Sequence, residues 1–307
     1  MRNDMDTAAR PPIGTESEVS IGIEAEVSIG IESEVSIGII GFGAFGRLIA
    51  QHLHPYARLI AYDLAPAPGD WHGATPGSLE EAAACSIVIL AVPVSTLQAT
   101  VEAIGPLLHP GTLVLDVGSV KVIPADIMRR CLPGHVDIVA THPLFGPQSA
   151  RNGIEGLKIA ICPIRGKRVW RIAAFARRVL GLQVILTTPE AHDQEAAMVQ
   201  GLTHLIAKVL VQMEPLPTRM TTRSFELLMQ GVDMVRNDAP EVFQAIEGSN
   251  PYSRQVRRRF FDLASTLDAQ LEHGLAGLTP ALPASRAVDS APACHDGHPS
   301  MPLSKTR

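Results

Sequence analysis

Short hydrophobic segments alternate with amphipathic ones along the first half of the chain. The hydrophobic runs are rich in β-branched residues, are bounded by turn residues, and occupy Ser36–Ile40, Arg58–Tyr62, Ser86–Ala91, Thr112–Asp116 and Val136–Thr141. Helix-compatible stretches such as Phe45–Leu53 and Ser95–Leu107 separate the earlier runs. Strands that are hydrophobic on both faces and alternate with helices indicate a parallel sheet covered on both sides. The pattern therefore predicts an α/β fold.

The pattern changes after Pro189. Before it, two more strand-like runs flank a basic helical segment, at Leu157–Ile161, Gln183–Thr187 and Lys167–Leu180. Beyond it, helical periodicity without a strand pattern extends over Ala191–Met213, Arg223–Val235 and Tyr252–His273. We therefore expect a sheet domain over residues 34–188 and an all-helical domain over residues 189–273. The apolar faces of these helices exceed what one sheet domain can cover, so a homodimer through the helical domain is expected.

The two ends of the chain have a different character. The segment EVSIGIE occurs at Glu18–Glu24 and Glu26–Glu32, and a third copy, Glu34–Ile40, runs directly into a glycine-rich turn. Only the third copy can be the strand before that turn, so residues 1–33 are expected to be duplicated, disordered and dispensable. An edge strand used for self-association is the alternative. Residues 274–307 are predicted to be a disordered tail, with no regulatory domain after Leu271.

The composition excludes several classes of protein. Hydrophobic residues make up 46% and charged residues 19% of the 307, and the net charge is -5 at pH 7. These values are typical of a folded protein with no general attraction to nucleic acid or anionic membranes. The four cysteines lack metal-ligand spacing, no apolar run reaches the length of a membrane span, and acidic residues interrupt any signal-peptide pattern. We therefore expect a cytoplasmic protein without a bound metal.

A GxGxxG pattern follows the first predicted strand and opens a helical segment. Its residues are Gly41, Phe42, Gly43, Ala44, Phe45 and Gly46. In this context the first glycine allows a tight turn, the second lets a pyrophosphate approach the backbone, and the third lets the helix pack closely against the strand. The helix N-terminus then offers N–H groups to the phosphates. The sheet domain is therefore predicted to be a Rossmann-type dinucleotide-binding domain.

Two further segments refine the cofactor prediction. Asp63 ends the second strand, where an acidic side chain accepts the ribose hydroxyls and repels a 2′-phosphate. NAD is therefore expected rather than NADP, with a solvated turn aspartate as the alternative. Val92 and Pro93 close another strand at the carboxyl edge of the sheet, where the cofactor would lie. A proline that only ends the strand is compatible with this role.

The candidate chemistry lies at the same edge of the sheet. Asp116–Lys121 and Thr141–Pro147 each follow a predicted strand, so both segments should line the crevice where ligands bind in open α/β sheets. Oxidation of an alcohol needs a base for the hydroxyl proton while hydride goes to the nicotinamide. Histidine suits this task near neutral pH, and among the eleven histidines His142 alone sits on such a strand-end loop. His142 is therefore the predicted base.

Several segments together resemble the prephenate/arogenate dehydrogenase family. They are GFGAFG, DVGSVK, THPLFGPQSARNG, the helix start Glu190–Asp193, and QGLTHLIAKVL at Gln200–Leu210. The likeness extends from about Ser36 to Leu271 and is greatest to the plant-type arogenate dehydrogenases and their bacterial relatives. It implies oxidative decarboxylation of prephenate or arogenate with NAD, in tyrosine biosynthesis. It also implies that the helical domain binds substrate and forms the dimer.

The resemblance assigns roles to individual residues. His142 would take the proton of the substrate's C4 hydroxyl, and Ser119 would hydrogen-bond this hydroxyl or the histidine, near the nicotinamide. Hydride would leave C4 for NAD, and the ring carboxylate would depart as CO2, driven by aromatisation. In the helical domain Gln200, Thr203 and His204 would face the substrate from one side of a helix. Polar residues at a helix–helix contact are the alternative.

Other positions bear on the choice of substrate. Thr222 and Asp238 match positions that contact the substrate side chain in plant-type members, where an acidic residue accompanies arogenate use. A helix N-cap is the alternative for Asp238, because a proline follows two residues later. Tyr252 occupies the position where several members carry a carboxylate-binding arginine. That ligand is left open, with Arg254 or Arg257 as the candidates.

Two other functions are compatible with this architecture. A β-hydroxyacid dehydrogenase would join the same two kinds of domain but use a lysine of the helical domain, for which Lys208 is the candidate. Such an enzyme would have no counterpart of the His-Pro-Leu-Phe-Gly-Pro loop. A non-catalytic nucleotide sensor would keep the fold but have no reason to retain both Ser119 and His142.

Overall fold

The computed structural model describes residues 35–272 of the chain. The predictions made for residues 1–33 and 274–307 lie outside the described residues.

An eight-stranded sheet forms the centre of the first part of the chain. Its strands are β1 (Ser36–Ile40), β2 (Arg58–Tyr62), β3 (Thr75–Pro76), β4 (Ile87–Leu90), β5 (Leu113–Asp116), β6 (Asp137–Pro143), β7 (Lys158–Arg165) and β8 (Gln183–Leu186). Their spatial order is β3-β2-β1-β4-β5-β6-β7-β8. All neighbours are parallel except β6 and β7. The strand order reverses between β1 and β4, and the ligand crevice of a doubly wound sheet opens at such a point.

Helices connect the strands and continue beyond them. They are α1 (Ala44–Leu53), α2 (Leu79–Ala83), α3 (Val94–Ile104), α4 (Val122–Cys131), α5 (Val169–Arg178), α6 (Pro189–Ala196), α7 (Leu202–Gln212), α8 (Arg223–Val235), α9 (Pro240–Gln244) and α10 (Ser253–Glu272). A 3-10 turn, Gly105–Leu107, extends α3, and π-helical segments occupy Ala197–Gly201 and Ala245–Ser249. The short helix α2 begins with a capping box, in which Ser78 and Glu81 exchange side chain–backbone hydrogen bonds.

Alternation along the strands builds two hydrophobic cores, one on either face of the sheet. In β1 the side chain of Ile39 enters one core, and that of the next residue, Ile40, enters the other. Residues of α1 and α5 cover the first face, and residues of α2, α3 and α4 cover the second. The predicted α/β sheet covered on both sides is thus confirmed. The antiparallel pairing of β7 with β6 is the one departure from a parallel arrangement.

The helical part begins at Pro189. The helix α6, the π-helical segment Ala197–Gly201 and α7 follow one another without a loop, and α7 packs against α8. By their contacts, the described residues up to Phe260 form one compact unit, and those from Phe261 onward form a second. The sheet and most of the helical part share the first unit, so a domain boundary at residue 188 stays a prediction. Between residues 35 and 272 no helix is long and apolar enough to cross a membrane.

Candidate active site

The glycine-rich turn joins β1 to α1. Gly41 has a φ of +94°, and a side chain there would overlap the carbonyl oxygen of Ala91. A side chain at Gly46 would overlap the carbonyl oxygen of Gly41, so this glycine lets α1 approach the strand. By contrast, a Cβ atom added at Gly43 would meet nothing within 4 Å. The backbone at Gly43 therefore faces open space, at the N-terminus of a helix.

Two aromatic contacts surround this turn. The buried ring of Phe42 stacks on Trp71, with 4.7 Å between ring centroids, and the guanidinium group of Arg47 lies over the Phe42 ring. The exposed Ala44 starts α1, and the ring of Phe45 lies 6.4 Å from that of Phe145 in the loop after β6. The glycine turn and the loop that follows His142 are therefore in contact across the edge of the sheet.

Asp63 lies at the end of β2, beside the glycine turn. One of its carboxylate oxygens accepts the N–H of Phe42 at 2.6 Å, and the other accepts the N–H of Ala65 at 2.9 Å. A carboxylate has about four acceptor sites, so two remain for hydroxyl groups of a ligand. Val92 lies on the other side of the turn, with its Cγ1 atom 3.0 Å from where a Cβ at Gly41 would be. Pro93 immediately precedes α3.

A buried ion pair fixes the ends of β5 and β6. The ammonium group of Lys121, which is fully buried, donates to a carboxylate oxygen of Asp116 and, at 2.6 Å, to the carbonyl oxygen of Thr141. The Thr141 hydroxyl donates to the Asp116 carbonyl at 2.6 Å. Burial raises the pKa of Asp116, whereas Lys121 and the N–H of Gly118 act in the opposite direction. These bonds hold the strand that carries His142 in register with its neighbour.

His142 lies within β6, opposite Ala160 of β7, and not on a loop as the sequence predicts. The strand continues to Pro143 because β7 supplies an antiparallel partner there. The imidazole is buried, and its Nδ1 atom lies 2.8 Å from Nε2 of His192. Burial, followed by the charges of His192 and Lys121, holds the pKa of His142 well below its ordinary value.

His192 and Asp193 extend this contact from the start of α6. Nδ1 of His192 lies 2.8 Å from Oδ1 of Asp193, and a carboxylate only accepts, so this nitrogen carries the hydrogen. Nε2 of neutral His192 is then an acceptor, which makes Nδ1 of His142 the donor. Nε2 of His142 is left with its lone pair, as a base requires.

Ser119 lies half-buried in the loop between β5 and α4. Within the described part of the chain its hydroxyl has no hydrogen-bond partner, and Nδ1 of His142 bonds to His192 instead. The interaction of Ser119 with a substrate hydroxyl therefore stays a prediction. It lies on the same loop as Lys121.

A second polar pair lies in the helical part. Nε2 of His204 lies 3.1 Å from Oδ2 of Asp238, and Nδ1 lies 3.0 Å from the carbonyl oxygen of Gln200. Asp238 also lies beside Gly146, since a Cβ there would come within 4.0 Å of its Oδ1 atom. The structure therefore brings His204 and Asp238 to the loop that follows His142. The N-cap alternative for Asp238 is wrong, because Ala239 precedes α9 and no side chain caps that helix.

The other predicted substrate residues have more ordinary surroundings. The amide oxygen of Gln200 is buried without a partner among the described residues. Thr203 is exposed and its hydroxyl donates to the carbonyl oxygen of Val199 at 2.7 Å. Regular i, i+4 spacing does not apply to Gln200 because it lies in a π-helical segment. Thr222 is the exposed N-cap of α8, where its hydroxyl accepts the N–H of Phe225 at 3.3 Å.

The arginine candidates and Lys208 are also placed. Arg254 is exposed, and Arg257 pairs with Glu247, so the structure singles out neither as the ligand of a substrate carboxylate. The ammonium group of Lys208 lies over the ring of Phe243, 5.6 Å from its centroid. No cluster of potential metal ligands occurs in the part of the chain that the structure describes.

Sequence comparison finds similarity between this chain and known proteins. The sequence model of "Prephenate dehydrogenase, nucleotide-binding domain" matches residues 72–176, from the loop before β3 into α5. Arogenate dehydrogenase 1, chloroplastic, from Arabidopsis thaliana is 28% identical over 249 residues, which cover 76% of this chain and 38% of that protein. The chain is thus similar in sequence to prephenate and arogenate dehydrogenases.

Two further proteins extend the comparison. Arogenate dehydrogenase 2, chloroplastic, from the same plant is 28% identical over 235 residues, which are 72% of this chain and 65% of that protein. The chain thus spans less than two thirds of the length of these two relatives. The crystal structure of prephenate dehydrogenase from A. aeolicus, in complex with hydroxyphenyl propionate and NAD+, has a TM-score of 0.64. At 21% identity, over 80% of this chain and 93% of that one, this likeness shows the shared fold.

Sequence reasoning does not single out Lys121, His192 or Asp193, although each lies in a segment that carries the family resemblance. The sequence does contain a signal for His192 and Asp193. A His-Asp pair in the first turn of a helix can form hydrogen bonds with the N-terminus of a neighbouring helix. For Lys121 no local signal exists, because its burial depends on how two strand ends meet.

Proposed function

We propose that this protein oxidises and decarboxylates arogenate and prephenate with NAD, giving tyrosine or 4-hydroxyphenylpyruvate. The observation that carries the proposal is the buried imidazole of His142 at the carboxyl edge of the sheet. The hydrogen bond from its Nδ1 atom to His192 leaves Nε2 free to accept a proton. The two relatives from Arabidopsis thaliana, both arogenate dehydrogenases, support the choice of substrates.

The residues around the glycine turn fit a dinucleotide. The open space at Gly43 leaves room for a pyrophosphate against the backbone, at the N-terminus of α1. The carboxylate of Asp63 is held by two backbone N–H groups and has acceptor sites left for the ribose hydroxyls. Its negative charge would repel a 2′-phosphate, which favours NAD over NADP. When bound, NAD supplies the hydride acceptor.

The chain's own residues handle the proton and exclude water. His142 takes the C4 hydroxyl proton at Nε2, and Ser119 orients that hydroxyl. Loss of hydride from C4 and of the ring carboxylate as CO2 leaves an aromatic ring, so the chain needs no metal for the decarboxylation. Burial of His142 between β5, β7 and α6 keeps bulk water from competing for the proton.

His204 and Asp238 are the residues proposed to meet the substrate side chain. Arogenate carries a protonated amine where prephenate carries a neutral keto group. Oδ2 of Asp238 faces His204, while Oδ1 lies toward Gly146 in the loop after β6. The unpartnered amide oxygen of Gln200 is a second acceptor in this region of the chain. Two acceptors favour a cationic donor, so arogenate is the preferred substrate.

The surface of the helical part bears on the assembly of the protein. Large apolar side chains are exposed on α7 and α8 and on the residue after α7; they are Val209, Met213, Leu227, Leu228 and Met234. Such a surface favours burial against a second copy, so the protein is proposed to be a homodimer through this region. Light scattering at micromolar concentration should give twice the chain mass, and a monomer would contradict the proposal. The free thiols of Cys85, Cys131 and Cys162 support a reducing, cytoplasmic location.

NADH absorbance at 340 nm in the presence of prephenate or arogenate tests the proposed activity. Formation of NADH with either substrate, and of an aromatic product in equal amount, supports it. Turnover of a β-hydroxyacid in place of both would assign the competing enzyme class, and no turnover with any of them would favour a nucleotide sensor. The same assay with NADP tests the role of Asp63.

A further inference from the structure

A chain of hydrogen bonds leads from His142 into the interior of the protein. Nδ1 of His142 lies 2.8 Å from Nε2 of His192, and Nδ1 of His192 lies 2.8 Å from Oδ1 of Asp193. All three side chains are at most 6% exposed. The imidazole rings meet edge to face, with 5.0 Å between centroids and 66° between planes. A proton that enters His142 at Nε2 can therefore leave it at Nδ1 without contact with solvent.

Asp193 is held in place as an anion. Its Oδ1 atom accepts the N–H of Lys121 at 2.7 Å, and its Oδ2 atom accepts the N–H of Val122 at 2.9 Å, at the N-terminus of α4. These are donors that a carboxylate satisfies and a neutral carboxylic acid does not satisfy fully. The side-chain amide of Asn250 donates to the Asp193 carbonyl oxygen at 2.8 Å, which anchors the residue from a second side.

The two histidines differ in their charged neighbours. His142 faces the ammonium group of Lys121, and burial together with the charges of His192 and Lys121 lowers the pKa of His142. His192 instead adjoins the carboxylate of Asp193. The other titratable groups around the pair are Asp116, which bonds to Lys121, Glu190 of α6, and the Cys162 thiol of β7, whose pKa burial raises to about 12. A proton added to His192 would therefore lie beside an opposite charge, whereas one added to His142 would face a like charge.

We propose that His192 acts through His142 as the residue that holds the proton taken from the substrate. When the C4 hydroxyl gives its proton to Nε2 of His142, the Nδ1 proton of His142 passes to Nε2 of His192. His142 ends neutral with its hydrogen on Nε2, and His192 ends as an imidazolium ion paired with Asp193. No proton is gained or lost in this transfer. That the proton comes from the substrate's C4 hydroxyl rests on the proposed function. The location of the positive charge on His192 rather than on His142 does not.

The first test uses the wild-type full-length chain without substrate. Long-range proton–nitrogen NMR spectra of histidine-labelled protein show which ring nitrogens carry hydrogens as the pH is lowered. We expect neutral His142 to carry its hydrogen on Nδ1 and the first added proton to appear on Nε2 of His192. A first proton that resides on His142 would overturn the proposal. Spectra of the His142→Asn and His192→Gln variants assign the resonances of the two histidines.

The second test separates positioning from proton holding. In His192→Gln, the amide oxygen can accept the hydrogen bond from His142 but cannot take its proton; in His192→Leu both functions are lost. Both variants should lower kcat by about 10- to 100-fold, at or below the usual worth of a positioned acid–base group, with KM within about threefold of wild type. In the pH profile of kcat/KM, the acid limb is the range in which the value falls as the pH is lowered. This limb should move to lower pH in His192→Gln, because His142 would then have to hold the positive charge alone.

A matched control and two contrary outcomes complete the design. His135 lies two residues before β6, and its imidazole bonds to the Leu108 carbonyl oxygen at 3.1 Å. His135→Gln should leave kcat and the acid limb unchanged. Wild-type kcat and an unchanged limb in His192→Gln would mean that His192 only orients His142, which overturns the proposal. If neither substrate reacts with the wild type, the proposed function fails, and the spectra still locate the proton. If the variants do not fold, the wild-type spectra alone decide.

Discussion

The polar side chains around His142 are buried and bonded to one another, whereas some polar side chains farther along the helical part are partly open to solvent. Around His142, the side chains of Lys121, His192 and Asp193 are almost fully enclosed. In the helical part, Asp238 is a quarter exposed and Thr222 lies at the surface. Enclosure fixes the direction of a proton transfer, while an open pair can adapt to different substrate side chains. We therefore expect substitutions around His142 to change the rate and substitutions at Asp238 to change the substrate preference.

The largest effect is expected from His142→Asn, which removes the proposed base. Turnover should fall by roughly 10²–10⁴, the usual contribution of a positioned acid–base group. The dissociation constant for NAD should stay nearly the same, because the glycine turn and Asp63 are untouched. Stopped-flow or steady-state NADH formation measures the first quantity and fluorescence titration the second. Retention of more than a third of wild-type turnover would show that another group is the base, and His135→Asn is the control.

Asp238→Asn should change the preference between arogenate and prephenate more than it changes the turnover rate. The substitution keeps the shape of the side chain and removes the charge, so kcat/KM for arogenate relative to prephenate should fall by about 30-fold. Asp233→Asn, at an exposed position on α8 that pairs with Arg236, is the matched control. An unchanged ratio would mean that Asp238 serves only to hold His204.

Asp63→Ser tests whether the Asp63 carboxylate determines the preference for NAD over NADP. Removal of the carboxylate should raise the ratio of kcat/KM with NADP to that with NAD by about tenfold, equivalent to about 1.4 kcal/mol. The exposed Asp70, seven positions on, offers a control in Asp70→Ser. A wild-type enzyme that already prefers NADP would refute the assignment of Asp63.

The smallest effect is expected from Thr222→Ala in the helical part. Because its hydroxyl caps α8, the substitution should lower the free energy of unfolding by about 1 kcal/mol and leave KM within about twofold. Thr222→Ser, which keeps the hydroxyl, should restore stability. A rise in KM at unchanged stability would instead establish the predicted contact with the substrate side chain.

Much of the fold follows from local pattern. The runs that predict β1 and β2 match the strands residue for residue, and those that predict β4 to β8 differ by a few residues at their ends. The two-residue strand β3 is not among the predicted elements. The short helix α2 does not appear among the predicted elements, although the Ser78–Glu81 spacing is a capping-box signature. Its five residues are too few for a helical period to show. Local pattern thus predicts long elements and misses short ones.

The site is less predictable, because it depends on contacts between distant segments. The position of His142 near the carboxyl end of β6 follows from the hydrophobic run at Val136–Thr141. Its partner His192 lies 50 positions away, and only the packing of α6 against α4 brings the two together. The same reason explains Asp238, whose neighbour His204 is 34 positions away. Family resemblance supplied Asp238, but not the identity of its partner.

The rate at which the Cys162 thiol is labelled can report how often the site opens. Its side chain is fully enclosed on β7, opposite Ala140 of the strand that carries His142, and burial raises its pKa to about 12. A disulfide reagent reacts with the thiolate, so at neutral pH this thiol should be labelled only when β6 and β7 part. The half-buried Cys131 on α4 should react sooner and provides an internal time reference. The ratio of the two labelling rates would report how often β6 and β7 separate. The same ratio measured with a dinucleotide bound would show how far that ligand slows the separation.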